Sequence, residues 1–395
     1  MIPALAIKTV NQHYAPNPQI LHLLQQFREM INHSIQVGLA ENVTSLKALS
    51  SRTYKELSRF DTMSYYKLCA MSAAAVILQN HRKAVRRGEK NPRTTPRARR
   101  LRLTICYGFK IQNGFLLLPH RPKQPIRIAL TQHVQASISG YAVRSVTLTT
   151  DKLSVAYAKQ AVEIRPRGFI GLDRNLDNVT LAATDGSIMR HDLSRATSVK
   201  TTYRAIRSHI RRNDVRIRRE ISGKYGCKQR EKVKQILHNA SKQIIQHAKQ
   251  QKFGLVMEQL TGVRRLYRRG NGQGRRIRGR MNSWSFWELQ RQIEYKAHWE
   301  GLPVIYVYPH GTSAKCSRCG SRMARIPEEN RKLKCPTCGV TVDRDVNAAR
   351  NILARGVRFA SIALPIEAMV PEPIACGNPE SRWKRVNPIG NPPTS

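Results

Sequence analysis

The sequence predicts a chain of two main parts, a β-rich unit with inserted helices and an α/β domain that follows it. Two observations predict the α/β domain: short buried strands alternate with helical segments from about residue 166, and two of those strands each end on a single acid. A third observation, two CxxC pairs late in the chain, predicts a small metal-bound module. At 395 residues the chain is long enough for two or three domains.

The first half of the chain changes its hydrophobic period twice. Residues 4–10 alternate as a strand does, and residues 17–87 carry apolar side chains at helical spacing. Residues 101–165 return to short alternating runs separated by turn residues. This order predicts a small β-barrel that strand 4–10 joins, with the helices inserted between its strands. Residues 82–102 hold ten Lys or Arg and one acid, which indicates a basic loop or extended arm.

The second half has the element order expected of a ribonuclease H-like α/β sheet. Its predicted elements are the strands GFIGLD and NVTLAATDG, a basic helical pair over 196–250 interrupted around SGKYG, the strand FGLVME, a mobile Gly/Arg loop over 262–280, the helix WSFWELQRQIEYKAHWEG, the strand LPVIYVYP and a final helix that ends at Gly356. Residues 357–395 contain seven Pro and little periodicity, which is typical of a disordered tail.

Charge is the feature of the composition that departs most from an ordinary protein. The chain holds 69 Lys plus Arg against 25 Asp plus Glu, a formal net charge of +44. A compact protein with that excess repels itself unless a polyanion neutralises it, which predicts nucleic acid as the partner. The sequence has neither the pattern of a signal peptide nor an apolar run long enough to span a bilayer. The use of cysteine suits a reducing compartment. A cytoplasmic protein is therefore expected.

Two acids stand where buried strands end. Asp173 closes the run FIGLD and Glu258 closes the run FGLVME, and in each case apolar or Gly residues lead into the acid. Strand ends of such a sheet converge, so these carboxylates are expected to lie close together. A third acid, Asp345, lies at the start of the final helix, where the small Ala348 and Ala349 allow a close approach to the sheet. Three converging carboxylates suit Mg²⁺ and two-metal hydrolysis of a phosphodiester.

Each acid also has an ordinary structural explanation. Asp343 and Asp345 both stand at a helix start, where acids commonly cap exposed N–H groups. Asp177 and Asp185 are explained by turn chemistry and are left out of the predicted site. The three acids taken together, with this element order and this charge, favour a catalytic metal site.

The cysteines predict a second, structural metal site. Cys316 and Cys319 form one CxxC pair, Cys335 and Cys338 form another, and fifteen residues separate the pairs. This spacing is typical of a four-cysteine zinc site, and a closed shell of thiolates leaves no position for water. We therefore expect one structural Zn²⁺.

These blocks together resemble the transposon-encoded TnpB proteins, whose RuvC-like nuclease is related to the type V CRISPR effectors. The resemblance is carried by GLDRNLDN around Asp173, by the strand-end Glu258, and by TSAKCSRCG followed by CPTCGVTVDRDVNAARNIL. It covers about 166–356 by motif. The first 165 residues agree with the family in length and element order only.

The resemblance implies an RNA-guided endonuclease that cleaves double-stranded DNA beside a short flanking motif, with a noncoding guide RNA and target DNA as partners and one monomer per guide RNA. Carried over by motif, Asp173, Glu258 and Asp345 are the catalytic residues and bind two Mg²⁺. Asp345 is preferred to Asp343 because it stands two residues before Asn347, as in the family's D-x-N pattern. The carried-over zinc ligands are Cys316, Cys319, Cys335 and Cys338.

The resemblance also implies a domain division. The implied domains are a wedge β-barrel over 1–14 and 100–165, a helical recognition domain over 15–99, the nuclease domain over 166–312 and 342–356, a zinc-ribbon insert over 313–341 and the tail 357–395. The segment 262–280 falls where the family has a lid over the active site.

Three alternatives share parts of this pattern. A compact type V CRISPR effector has the same nuclease but takes its guide from a repeat array, so the neighbouring genome separates it from TnpB. A guide-dependent DNA-binding regulator that has lost cleavage has no need of three converging acids. A guide-independent RuvC-like nuclease or a DNA-transposing enzyme does not need so large a basic first half. The flanking motif, the guide sequence and the cut positions are not encoded in any recognisable pattern.

Overall fold

The computed structural model describes residues 4–121, 124–210, 214–268 and 270–363. The predicted tail therefore lies outside the described residues from 364 onward. In the described part of the chain, no helix is long and apolar enough to cross a membrane.

The first unit combines antiparallel sheets with helices. Its elements are β1 (Ala4–His13), α1 (Pro18–Ala40), α2 (Leu46–Thr53), α3 (Ser64–Arg86), β2 (Leu103–Ile105), β3 (Lys110–Gln112), β4 (Phe115–Arg121), β5 (Gln124–Ala129), α4 (Gln132–Ile138), β6 (Ala142–Leu148) and β7 (Lys152–Ala161). Strand β1 pairs with β7 along its whole length, so the first strand joins the later ones as predicted. Helix α4 was not predicted from the sequence.

The strands of this unit lie in separate ladders. One sheet has the order β1-β7-β6-β2 and another has the order β3-β4-β5. Both sheets share one hydrophobic core with α1 and α3, since Leu116, Leu153, Phe27 and Met71 all belong to it. Helix α1 begins where Asn17 accepts a hydrogen bond from the backbone N–H of Ile20 at 2.9 Å. Burial against the sheets, added to this cap, stabilises the inserted helices.

The second unit is built on a mixed sheet. Its elements are β8 (Gly168–Arg174), β9 (Asn178–Ala183), β10 (Ile188–Asp192), α5 (Ser194–Ser208), α6 (Ser222–Gln251), β11 (Phe253–Glu258), α7 (Arg275–Ser283), α8 (Phe286–Trp299), β12 (Val304–Val307), β13 (Ala324–Ile326), β14 (Glu329–Lys334), β15 (Thr341–Asp343) and α9 (Arg344–Ala363). The sheet order is β10-β9-β8-β11-β12, with β8, β11 and β12 parallel. The α/β sheet predicted from the order of elements along the chain is therefore confirmed.

The sheet is covered on both faces. Ile170 and Leu172 of β8 pack with α5, α6 and α8 on one face. Phe169 on the same strand packs with Ile352 of α9 on the other face. Every residue of β8 is buried, as expected for a central strand that is covered on both sides.

Three sequence-based expectations about this unit were wrong in detail. The segment SGKYG lies in the first turns of α6, and the break between the paired helices comes earlier in the chain. The segment 262–280 contains a 3₁₀ turn over Val263–Tyr267 and most of α7, so it is not an irregular loop throughout. The last helix continues past Gly356 to Ala363. Gly356 is instead a packing position, where an added Cβ would lie 2.3 Å from Val256.

Helix α9 approaches β8 closely at Gly171. A Cβ at this position would lie 2.4 Å from the backbone oxygen of Ala349 and 2.6 Å from the backbone nitrogen of Leu353. Because backbone atoms cannot move aside as a flexible side chain can, only glycine fits there. Ala348 and Ala349 are buried at the same contact, which confirms the expectation from their small size.

We expect Gly171→Ala to destabilise the protein by roughly 2–4 kcal/mol, because the added methyl forces α9 away from the sheet. Urea unfolding followed by circular dichroism measures the change. Gly223→Ala is the matched control, since nothing lies within 4 Å of a Cβ added in α6 at that position. Equal stability of the two variants would show that α9 does not pack closely here.

Candidate metal centres

Two of the predicted acids lie side by side at the ends of adjacent parallel strands. Leu172 of β8 is paired with Met257 of β11, so the next residues, Asp173 and Glu258, follow the same register at the same edge. Asp173 is buried and Glu258 is half-buried. The parallel pairing is therefore what brings together two acids that are 85 positions apart in sequence.

The third acid reaches this edge from α9. Asp345 is in the first turn of the helix and is 2% exposed. The neighbouring Asp343 has a different role: its Oδ1 accepts from the backbone N–H of Asp345 at 2.8 Å and of Val346 at 3.2 Å. Asp343 also pairs with Arg190 at 2.9 Å. The structure thus separates a capping acid from an acid that is close enough to Asp173 to act on its pKa.

Electrostatics confirm that negative charge is concentrated here. Burial is the main cause that raises the pKa of Asp173 to about 7; the charges of Glu258 and Asp345 act in the same direction, and a hydrogen bond from Asn175 opposes them. The Nδ2 atom of Asn175 donates to Asp173 at 2.8 Å. Ionising all three acids is therefore costly unless a cation is present.

The donor set fits a divalent cation by its chemistry. Three carboxylates supply the hard oxygen ligands that Mg²⁺ prefers, at an edge where burial disfavours uncompensated charge. The ligand oxygens of the three acids do not all lie within 4.8 Å of one another. Among the described residues, the four cysteines are the one set whose ligand atoms lie that close together. On the Asp345 side, Arg331 donates to Oδ2 at 2.5 Å and Arg344 lies 3.6 Å from Oδ1.

Two residues that sequence reasoning missed hold Glu258 in place. The hydroxyl of Thr312, which is 4% exposed, donates to Oε1 of Glu258 at 2.6 Å. The buried guanidinium of Arg174 donates to the backbone oxygen of Glu258 and to Oε1 of Gln290. Thr312 lies four residues before the first cysteine, and this closeness to the predicted metal module is a sequence signal that could have suggested a role for it. No sequence pattern marks Arg174 as a partner of Glu258.

The four cysteines form a compact cluster. All their sulfur atoms lie within 4.8 Å of one another, with 3.7 Å between Cys316 and Cys338 and 3.4 Å between Cys319 and Cys335. Hydrogen bonds from Ser321 lower the pKa of the Cys319 thiol to about 6, which favours the thiolate form that binds metal. The predicted zinc ligands are therefore brought together, and a set of four thiolates fits Zn²⁺.

The cysteine module is attached to α9 by two asparagines. The completely buried Asn347 donates to the backbone oxygen of Lys315 at 2.7 Å and accepts from the backbone N–H of Ser317 at 2.9 Å. Asn351 donates to the backbone oxygens of Thr312 and Lys315. The segment that carries Thr312 is thereby fixed between the metal module and the helix that carries Asp345.

Comparison with known proteins agrees with this arrangement. The family described as Cas12f1-like, TNB domain matches residues 286–352. A TnpB-like protein, MJ0751 of Methanocaldococcus jannaschii, is 29% identical over 58% of this chain and 84% of its own length. The CRISPR-associated endodeoxyribonuclease Cas12f1 of Sulfoacidibacillus thermotolerans is 36% identical over 29% of this chain, which spans only 25% of that relative.

A solved structure also shares the fold. The Cas12f1 chain of a complex with a single guide RNA and target DNA superposes with a TM-score of 0.61 at 16% identity, over 85% of this chain and 82% of its own. The sheet, the strand-end acids and the four-cysteine module define an α/β protein with an insert whose four cysteines fit a zinc ribbon. By sequence the chain is thus similar to TnpB-like proteins and to Cas12f endodeoxyribonucleases, and by fold it is similar to Cas12f1.

We expect Thr312→Val to weaken Mn²⁺ binding by roughly tenfold, because a hydrogen bond to a charged group contributes about 1.5–3 kcal/mol and orients Glu258. Electron paramagnetic resonance of Mn²⁺ titrated into the nucleic-acid-free protein measures the affinity. Thr312→Ser keeps the hydroxyl and should bind as the wild type does. Unchanged affinity of the valine variant would refute the orienting role.

Cys335→Ser should leave the purified chain without stoichiometric zinc and lower its thermal midpoint, because a structural site needs all its ligands. Inductively coupled plasma mass spectrometry and a thermal melt give the two readings. The matched control is Cys106→Ser, which changes an exposed thiol outside the cluster. A serine variant at 335 that still held one zinc per chain would contradict the ligand assignment.

Proposed function

We propose that this chain is a transposon-encoded, RNA-guided endonuclease that cuts double-stranded DNA beside a short flanking motif. The observation that carries the proposal is the meeting of three acids at one sheet edge beside a four-cysteine module, in a chain with a net charge of +44. The names of the relatives support it, since InsQ of Escherichia coli strain K12, described as a putative RNA-guided DNA endonuclease, is 39% identical over 18% of each chain.

Asp173, Glu258 and Asp345 would hold two Mg²⁺ ions. When bound, such ions activate water and stabilise the leaving oxygen of a phosphodiester. The chain's own residues prepare the site: Thr312 orients the Glu258 carboxylate and Asn175 orients that of Asp173. Because Asp173 is desolvated, its charge would interact strongly with a cation at this edge.

The cysteine module would bind one structural Zn²⁺ and would keep the Thr312 hydroxyl within hydrogen-bonding distance of the Glu258 carboxylate. The domain division proposed from the sequence assigns the first unit to a wedge barrel and helical recognition domain, and the cysteine module to a zinc-ribbon insert in the nuclease domain. We propose a guide RNA and target DNA as partners and one monomer per guide RNA. The high positive charge supports this, because a protein that leaves sequence reading to base pairing needs a wide cationic channel.

A second candidate is a compact type V CRISPR effector. The specific observation that favours it is the match of residues 286–352 to the Cas12f1-like domain. The chemistry of the site is the same in both cases, so the source of the guide distinguishes them. The protein is purified from cells that carry its native locus, and the bound RNA is sequenced to distinguish the two candidates. Repeat-array transcripts would support the effector, and RNA from a transposon end would support TnpB. Recovery of no discrete RNA would refute guidance by RNA.

Removal of an acid should abolish cutting without removing the guide. We expect Asp173→Ala, Glu258→Ala and Asp345→Asn each to lower DNA cleavage by at least about a thousandfold, because the ligand set is incomplete. RNA binding, measured by filter retention, should be unchanged. Cleavage is followed on a plasmid library with randomised flanking sequence.

The neighbouring aspartate supplies the matched control. Asp343→Asn should retain cutting and lose less than about 1 kcal/mol of stability, because the amide oxygen still caps α9 and only the ion pair with the exposed Arg190 is lost. If Asp343→Asn abolished cutting while Asp345→Asn did not, the catalytic roles assigned to these two residues would be reversed.

A further inference from the structure

The half-buried Lys296 of α8 lines a cleft between strand β1 and helices α6 and α8. The cleft encloses about 710 Å³. Among the described residues that line it, six carry a cationic side chain, namely Lys8, Lys234, Lys242, Lys249, Arg291 and Lys296. Acids neutralise two of these cations, since Glu300 pairs with Lys249 at 2.7 Å and Glu288 pairs with Arg291 at 2.8 Å. The cleft therefore keeps an excess of positive charge, which attracts small anions.

Two hydrogen bonds to α6 hold the amine of Lys296. Its Nζ donates to the backbone oxygen of His238 at 2.8 Å and to Oγ of Ser241. The Ser241 hydroxyl donates its own hydrogen to the backbone oxygen of Leu237 at 2.7 Å, so its oxygen is left to accept from Lys296. A neutral amine has two hydrogens and one lone pair. The two acceptors therefore match the hydrogens of the neutral form and leave its lone pair for a molecule in the cleft.

The surroundings of Lys296 favour this neutral form. Burial is the main cause that lowers the pKa of Lys296 to about 8, and the charges of Lys8 and Lys242 act in the same direction. Burial and the charge of Lys296 lower the pKa of the His238 ring to about 4, so that this ring is neutral near pH 8. Burial raises the pKa of the neighbouring Tyr295, which is also neutral there. A large fraction of Lys296 is therefore the unprotonated amine, which is the nucleophilic form of lysine.

We propose that Lys296 is a site of acylation by small acyl phosphates, which enter the cleft as anions. The lone pair of Nζ attacks the carbonyl carbon, an N–C bond forms, and the bond from that carbon to the phosphate oxygen breaks. Phosphate leaves with the bonding electrons and takes up the proton that the nitrogen releases. The other cations of the cleft would hold the phosphate group, because they attract the charge that grows on it as it leaves.

Acylation would change the contact between α6 and α8. An amide nitrogen carries one hydrogen, so it can donate to the oxygen of His238 or to that of Ser241 but not to both. The amide is also uncharged at every pH, so the cleft would lose one cation permanently. This chemistry needs neither a guide RNA nor DNA cleavage, and it is therefore independent of the proposed nuclease function.

Acetyl phosphate is the probe. The full-length, zinc-containing chain is freed of bound nucleic acid with nuclease and high salt and is then treated at pH 8. Mass spectrometry of peptides cut at Glu measures the acetylation of each lysine. We expect Lys296 to react at least about tenfold faster than Lys228, an exposed lysine of α6 outside the cleft, because an amine with a pKa of about 8 is about half neutral at this pH, against less than about 1% at the reference value of about 10.4.

The pH dependence tests whether the neutral amine is the reacting form. Protonated lysine has no lone pair, so the rate at Lys296 should rise about tenfold per pH unit below pH 7 and level off above about pH 8. A lysine at the reference pKa would instead continue to react faster up to about pH 10. A rate at Lys296 that still rose tenfold per unit above pH 9 would contradict the assigned nucleophile.

Acetic anhydride, an uncharged acetyl donor, separates the reactivity of the amine from binding of the anion. Lys234→Gln should lower the rate at Lys296 with acetyl phosphate by at least about threefold, because one cation that attracts the phosphate is gone. The rate with acetic anhydride should stay the same, since Lys234 is not among the charges that lower the pKa of Lys296. The matched control is Lys224→Gln, which removes the same charge from an exposed position of α6 outside the cleft.

Inorganic phosphate provides a test without any variant, because it should slow the reaction of the wild-type chain with acetyl phosphate and not that with acetic anhydride. Equal rates at Lys296 and Lys228 with acetyl phosphate would overturn the proposal. A fast reaction at Lys296 that was insensitive both to Lys234→Gln and to inorganic phosphate would also overturn it, because the cleft would then not bind the anion.

Discussion

The close contact between helix α9 and strand β8 at Gly171 is the constraint on which the candidate site depends. Asp173 stands two residues further along β8, and Asp345 stands at the start of α9. A Cβ atom at Gly171 would clash with backbone atoms of α9. The helix can lie this close to the sheet because glycine has no Cβ. A close approach of secondary elements, rather than a direct bond, thus determines how near the third acid lies to the other two.

This closeness has an energetic cost that the rest of the domain must offset. Burial raises the pKa of Asp173, so at neutral pH a desolvated charge lies near two more acids. Folding favours the protonated carboxyl in such a case, and the contribution of Asp173 to the stability of the cation-free protein therefore falls as the pH rises from about 4 through 7. The sheet and its two covered faces supply the burial that offsets this cost.

The cysteine module is connected to the acids through a short chain of hydrogen bonds. Asn347 and Asn351 attach the start of the module to α9, and Thr312 in that same segment donates to Glu258. The module is therefore connected by hydrogen bonds to the site of the acids as well as being positioned at the surface. The link to Glu258 runs through neutral side chains, which add no charge to a site that already holds three acids.

The sequence by itself determined most of the elements and the residue types of both candidate centres. Apolar runs that end on one acid, and CxxC pairs at zinc spacing, are local patterns that do not depend on tertiary contacts. The acids, the cysteines and the order of strands and helices along the chain could therefore be predicted. Only the tertiary structure decided which aspartate caps α9, that Gly356 packs inside a longer helix, and that Thr312 and Arg174 hold Glu258. These depend on contacts between residues far apart in sequence. Hydrophobic periodicity does not record such contacts, because it reports which face of an element is buried and not what the element is buried against.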